Sequence, residues 1–139
     1  MHRLALKPSF ALSLSLCVAA LGAFSTASTQ AQTASAAKPS AERGLAIYTA
    51  KCSACHSVDE NRVGPAHAGV VGRRAGKAKD YEYSEALNKS NIVWSRNKLQ
   101  AWLTDPEKLI PGQRMGYRLS LPQERADVVA YLATLPAPK

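Results

Sequence analysis

The stretch Cys52-Ser53-Ala54-Cys55-His56 limits what this chain can fold into more than any other. C-x-x-C-H is the attachment pattern for a c-type haem: two thiols add across the porphyrin's vinyl groups, and the adjacent imidazole is set to ligate the iron. The chemistry requires the spacing. Two intervening residues let one turn of chain bridge neighbouring vinyls, and a His directly after the second Cys comes up beneath the metal. Two other uses of a cysteine pair are open. A redox disulfide expects a thioredoxin-like βαβ context, which the sequence does not show. A zinc site needs four ligands, and no second C-x-x-C or H-x-x-x-H completes one. The chain is therefore expected to be organised around one covalently bound haem c, anchored by Cys52 and Cys55 and ligated by His56.

Of the 139 residues, 1–31 read as an export signal. Met1 to Lys7 carries His2, Arg3 and Lys7, an apolar run follows from Phe10 to Phe24, and small residues then dominate through Ala37. Cleavage after Ala31 or Ala36 fits the small-residue preference. An uncleaved anchor is the rival, but the apolar run falls short of the ~18 residues that a span needs. Cys17 lies inside that run behind bulky Leu16, which speaks against a lipoprotein signal. Residues 32–39 have no apolar period and read as a disordered linker or N-terminal tail. This leaves 40–139 as one periplasmic domain, with no integral membrane span once the signal is removed.

About a hundred residues lie near the lower limit for a self-sufficient hydrophobic core, and a buried porphyrin enlarges that core. Without Cys17 only Cys52 and Cys55 remain, so no spare thiol is left for a stabilising disulfide. A monomer is expected. Subtracting Arg3 and Lys7 lowers the formal charge from +8 to +6. That excess suits an acidic protein surface as partner. Nucleic acid is not expected, because the positive residues are dispersed and only Arg73-Arg74 with Lys77 and Lys79 form a cluster.

Ser40 is an N-cap candidate for a helix in which Ala41, Leu45, Tyr48 and Cys52 recur at helical spacing, with Gly44 in its interior suited to a close helix crossing. Residues 61–79 hold Gly64-Pro65, Gly69, Gly72 and Gly76 without a period and read as a loop, whose packing a cofactor would supply. Ser84 to Asn88 suits a short helical turn, and Ile92-Val93-Trp94 an extended segment. Ser95 caps a helix that aligns Leu99, Trp102 and Leu103 and ends where Asp105 meets Pro106. Glu107 to Leu119 reads as irregular. The last helix carries a capping-box pattern, Ser120 with Gln123, and a stripe of Val128, Leu132 and Leu135 helped by Val129 and Tyr131, before Pro136 stops it. No period-2 segment of useful length occurs, so the fold class is all-α: a few helices and long loops enclosing a planar ligand.

An iron held by His56 either takes a sixth ligand or keeps an open position, and the choice separates an electron carrier from a ligand-binding or catalytic haem protein. Met115 is the only methionine beyond the initiator and sits in the loop Ile110-Pro111-Gly112-Gln113-Arg114-Met115. A lone methionine is more often a core filler, so by itself it leaves the question open. The ordered set of motifs goes further. Gly44 and Tyr48 precede Cys52 to His56. Gly64-Pro65, Gly72-Arg73 through Gly76, then Tyr83 and Trp94 follow, and Trp102-Leu103 lead through Pro106 and Ile110-Pro111-Gly112 to Met115, with Tyr131 near the end. In this order the chain, from about Glu42 to Leu135, resembles the class I cytochromes c, the monohaem type that includes cytochrome c2.

The resemblance implies a cytochrome c fold and a site. Met115 becomes the axial thioether opposite His56. Pro65 offers its carbonyl to the far nitrogen of His56, and Arg73, Tyr83 and Trp94 hydrogen-bond a haem propionate. Trp102 stands where the family usually has Tyr beside the axial sulfur, Leu87 replaces a common amide, Tyr117 replaces a Phe at the haem edge, and His67 replaces an apolar residue on the His56 side. The implied function is a soluble periplasmic carrier of single electrons, not an enzyme, working with acidic redox proteins such as an oxidase, a bc1-type complex, a reaction centre or a dehydrogenase. Lys51, Lys108, Arg114 and Arg118 would form a positive rim for them. By the same pattern Lys108 is the lysine that displaces the methionine at alkaline pH. Two other functions are kept: a haem subunit bound within a periplasmic oxidoreductase for alcohols or sulfur compounds, and a haem enzyme or gas sensor with an open iron.

Overall fold

The structure is a computed structural model that describes residues 37–138. The expected export signal, Cys17 and most of the expected linker lie outside the described residues. Five helices follow one another: α1 (Ala41–Lys51), α2 (Glu85–Lys89), α3 (Arg96–Thr104), α4 (Pro106–Leu109) and α5 (Pro122–Leu132). Among the described residues the only β pairing is an isolated antiparallel bridge between Arg74 and Val93, so the fold class is all-α. No helix among them is long and apolar enough to cross a membrane.

Helix α1 begins where Ser40 turns its hydroxyl to the Arg43 N–H (3.3 Å) and ends with Cys52, whose N–H reaches the Tyr48 carbonyl at 2.8 Å. Its buried face is Gly44 and Tyr48, and this corrects the expected apolar stripe, because Leu45 is 47% exposed. The reason is the crossing with α5. A Cβ at Gly44 would stand 2.0 Å from the Asp127 carbonyl oxygen and 2.8 Å from the Tyr131 Cβ. The two helices therefore touch backbone to backbone, and Leu45, one residue round the helix, turns outward.

Asp127 fastens that crossing. Its carboxylate is buried, yet it accepts from the Ser40 N–H (2.7 Å), from Arg43 Nε and Nη2 (both 2.8 Å) and from Gln123 Nε2 (3.1 Å). The Arg43 hydrogen bonds hold its carboxyl below the usual carboxylate range, against the opposing effect of burial. Here the expected capping box fails. Helix α5 is capped at Leu121 without a side-chain bond, Gln123 is drawn to Asp127, and the Ser120 and Leu119 carbonyls instead accept from Arg125 Nη1 at 2.7 Å. Pro122 occupies the first turn, where its missing N–H is no loss. Val128, Val129 and Leu132 are buried, and the helix ends at Leu132, short of Pro136.

Ser95 caps α3 as predicted, accepting from the Lys98 N–H at 3.2 Å, and Leu99, Trp102 and Leu103 are its buried face. The chain then departs from the expected irregular stretch. Asp105 caps a further single turn, α4, by accepting from the Lys108 N–H at 3.2 Å. Ser84 caps α2 through the Leu87 N–H at 3.3 Å. Ile92 to Trp94 is extended and zipped to the preceding loop by Gly72 N–H to Trp94 O (2.8 Å), Trp94 N–H to Arg73 O (2.9 Å) and Ala75 N–H to Ile92 O (2.8 Å). That zip brings Arg73 and Trp94 to one place.

Candidate haem centre

A cavity of about 490 Å³ opens between the helices, and its walls are aliphatic where Val70, Leu87, Leu99, Leu103, Val128 and Leu132 face it. Every residue assigned to the site from the sequence lines it. Cys52, Cys55, His56 and Pro65 come from the end of α1 and the loop beyond, Arg73, Tyr83 and Trp94 from the middle of the chain, and Trp102 and Met115 from α3 and the loop after α4.

After α1 the chain continues in a tight coil, with Cys55 N–H to Cys52 O at 3.0 Å and His56 N–H to Cys52 O at 2.9 Å, so both thiols and the imidazole are delivered together. Cys52 and Cys55 are not joined in a disulfide. Burial pushes the Cys52 thiol up to about 11. His56 Nδ1 lies 2.9 Å from the Pro65 carbonyl oxygen. A carbonyl oxygen can only accept, so the ring nitrogen that faces it, Nδ1, carries the hydrogen and Nε2 keeps its lone pair for a metal. Gly64 closes the slot behind the ring, where a Cβ would stand 2.1 Å from His56 Cε1. Burial lowers the proton affinity of His56, with the Pro65 bond opposing it, which favours the neutral, ligating form.

His67 stacks on His56, with ring centroids 4.2 Å apart and planes 20° from parallel, and its Nδ1 is 3.2 Å from the Tyr48 hydroxyl. Desolvation, then the neighbouring His56 and Arg73, push its pKa down to about 3, so it is uncharged at neutral pH. It therefore backs the ring of His56 without repelling a metal.

At the other wall, Trp102 Nε1 donates to Met115 Sδ at 3.1 Å. The indole thus does reach the sulfur, which the sequence left undecided. Arg73 lends Nη1 to the Ala68 carbonyl (3.0 Å) and Nη2 to that of Ala66 (2.7 Å), which pins the guanidinium at the cavity wall with donors to spare. The Tyr83 oxygen accepts from the Ala78 N–H at 3.2 Å, leaving its own O–H to donate. Tyr117 lines the same cavity and is 42% exposed.

This donor set fits a c-type haem: two thiols three positions apart on one cavity wall, an imidazole with a free Nε2, a thioether, and an arginine and a phenol suited to carboxylates. Among the described residues no three His, Cys, Asp or Glu side chains are grouped to hold a metal ion, so they supply no zinc tetrad. The expected positive rim is weaker than its four cations suggest. Lys51 pairs with Glu124 (2.7 Å), Arg118 with Asp105 (2.9 Å) and Arg114, more loosely, with Glu82 (3.8 Å).

Three contacts around the cavity have no signal in the sequence. Tyr81 donates to the Val63 carbonyl at 2.6 Å and Asn61 to that of Lys79 at 2.8 Å, tying two loops together at the rim. Glu107 holds the turn before Met115 through the Gly112 N–H (2.8 Å). Bonds to main-chain carbonyls and amides between distant residues place no demand on residue type nearby, so no pattern announces them.

The family model for cytochrome c matches residues 41–136. A cytochrome c2 from Rhodopila globiformis is 44% identical over 95 residues, covering 66% of this chain and 90% of that protein. A cytochrome c2 from Rhodopseudomonas palustris is 38% identical over 112 residues, covering 68% and 97%. Among solved structures, cytochrome cH from Methylobacterium extorquens superposes with a TM-score of 0.65 at 42% identity, over 68% of this chain and 98% of the other. The chain belongs to the cytochrome c family, as a class I monohaem electron-carrier cytochrome with one covalently attached haem c.

Proposed function

We propose that this cytochrome carries single electrons in the periplasm, with His56 and Met115 as the two axial ligands of its haem and acidic redox proteins as its partners. The observation that carries the reading is the pairing of two prepared donors on one cavity. His56 is locked by Pro65 with Nε2 free, and Met115 has its sulfur fixed by the Trp102 N–H. The haem supplies the one-electron couple. Cys52 and Cys55 hold it by thioethers. Arg73, Tyr83 and Trp94 would receive a propionate, whose charge needs donors where water is scarce. With His56 and Met115 both bound to the iron, no site would be left for oxygen or substrate, and Met as a soft ligand would raise the potential.

The carboxylate partners of Lys51, Arg114 and Arg118 limit the rim's pull, so encounter with an acidic partner is steered, but with a shallow salt dependence. The test uses the purified holoprotein. The reading expects a sulfur-to-iron charge-transfer band in the oxidised form, reversible one-electron titration, and no carbon monoxide binding to the reduced form at neutral pH. Carbon monoxide binding without denaturant would overturn the ligation, and electron-transfer rates that do not fall at all as salt rises would remove the acidic partner.

A further inference from the structure

We propose that Glu107 and Gln113 are positioning residues: together they brace the loop that carries Met115 and set how long its thioether stays in place. The proposal rests on the His56 and Met115 ligation above. The loop has little support of its own. Its turn runs through Gly112 at φ 84, and the closing bond from the Gln113 N–H to the Ile110 carbonyl is a long 3.3 Å. Glu107, on α4, supplies what the turn lacks. One carboxylate oxygen accepts from the Gly112 N–H at 2.8 Å, and the other accepts from Gln113 Nε2 at 3.2 Å. The Gln113 side-chain oxygen in turn accepts from the Met115 N–H. A single relay of hydrogen bonds thus runs from α4 to the backbone of Met115.

The base of that relay is fixed. Pro106 is buried, and Asp105, which caps α4, also accepts from Arg118 Nη2 at 2.9 Å, so the chain on both sides of Met115 returns to the same short stretch. The loop between runs between two cavities. Met115 and Gly116 line the main cavity, and they also line a second one of about 240 Å³ with Glu107, Gln113 and Arg118. A Cβ at Gly116 would meet nothing within 4 Å. Met115 packs on the core from the haem side, but on the far side the segment borders the second cavity, where the hydrogen bonds of Glu107 and Gln113 are what hold it.

The experiment follows replacement of the thioether by imidazole in the oxidised holoprotein, read by stopped-flow at the sulfur-to-iron band. At saturating imidazole the rate reports departure of the sulfur. Glu107→Ala and Gln113→Ala are each expected to speed it about threefold to tenfold, the size that loss of one or two exposed hydrogen bonds gives. Because the two variants lose the Glu107–Gln113 bond in common, the double variant should be faster than either single one but by less than the product of their effects. Lys98→Ala, on exposed α3 surface, should match the wild type. If Glu107→Ala does not load haem, Glu107→Gln, which keeps one acceptor, should give an intermediate rate. Single-variant rates equal to wild type, or effects that multiply in the double variant, would overturn the brace. A wild-type protein without the band would instead overturn the ligation on which it rests.

Discussion

Replacing Trp102 by Phe removes one hydrogen atom of consequence, the indole N–H that points at Met115 Sδ from 3.1 Å. That bond draws electron density from the sulfur, makes it a poorer donor and so disfavours the ferric state. Its loss should lower the reduction potential. A neutral hydrogen bond is worth about 1 kcal/mol, and for one electron a tenfold change in equilibrium corresponds to about 59 mV. The full bond would therefore amount to about 40 mV, and the part that differs between the two valences to about 15–40 mV. The substitution also shrinks a side chain that is 7% exposed and packs edge-on against Trp94 at 5.3 Å. The resulting void destabilises the fold by about 1–3 kcal/mol, but it weighs on both valence states alike and cancels from the potential. A redox titration of Trp102→Phe beside wild type, with the sulfur-to-iron band present in both, separates the two effects. A potential within about 10 mV of wild type, or a higher one, would refute the role of the N–H.

Gly44→Ala should lower the melting temperature by about 10 °C, because the new Cβ meets Asp127 backbone at 2.0 Å, and overpacking of about 3 kcal/mol, less a helix-propensity gain near 1, leaves a net loss of about 2 kcal/mol. A Tm equal to or above wild type would show that α1 and α5 do not cross this closely. Asp127→Ala should cost about 2 kcal/mol by stranding the Ser40 N–H and releasing Arg43, as measured by denaturant unfolding. Its wild-type carboxyl is depressed when folded, so it stabilises fully above the ordinary carboxylate pKa of about 3.9 and progressively less as pH falls through the lower folded value. Asp127→Asn should accordingly flatten the stability curve below about pH 4, and an unchanged acid limb would exclude the clamp. Met115→Ala should leave the haem attached but allow the reduced protein to bind carbon monoxide, whereas a variant that still refuses it would point to another ligand. Lys108→Ala should shift the alkaline loss of the sulfur-to-iron band to higher pH; an unmoved titration would exclude Lys108 as the incoming ligand.

What was legible in the sequence was what is local. The caps Ser40 and Ser95, the short turn after Ser84, and the stripe Leu99, Trp102, Leu103 each express a relation between residues three or four apart, and each forms as read. Gly44 was legible as a crossing, but not its consequence. Once backbone meets backbone there, the contact face is set by Gly44 and Tyr48, and Leu45, apolar and in period, falls outside it. Ser120 and Gln123 had the right spacing for a capping box, yet a buried carboxylate four residues on offers Gln123 a better partner than an exposed helix end.

The same contrast runs through the cavity. Its donor atoms are coded by residue type, so the pattern names them one by one. Its rigidity is coded by side chains reaching main-chain atoms: Arg73 to the carbonyls of Ala66 and Ala68, Tyr81 to that of Val63, Glu107 to the Gly112 N–H. Any backbone amide or carbonyl serves such a bond, so the partner carries no signature, and the side chain that reaches it looks like an ordinary polar residue. An electron carrier depends on this second code, because a site that keeps both ligands through a change of valence needs little rearrangement only if its walls are already held. Relatives that keep the ligands and change these braces should therefore differ in how readily the thioether leaves while differing little in the donor set itself.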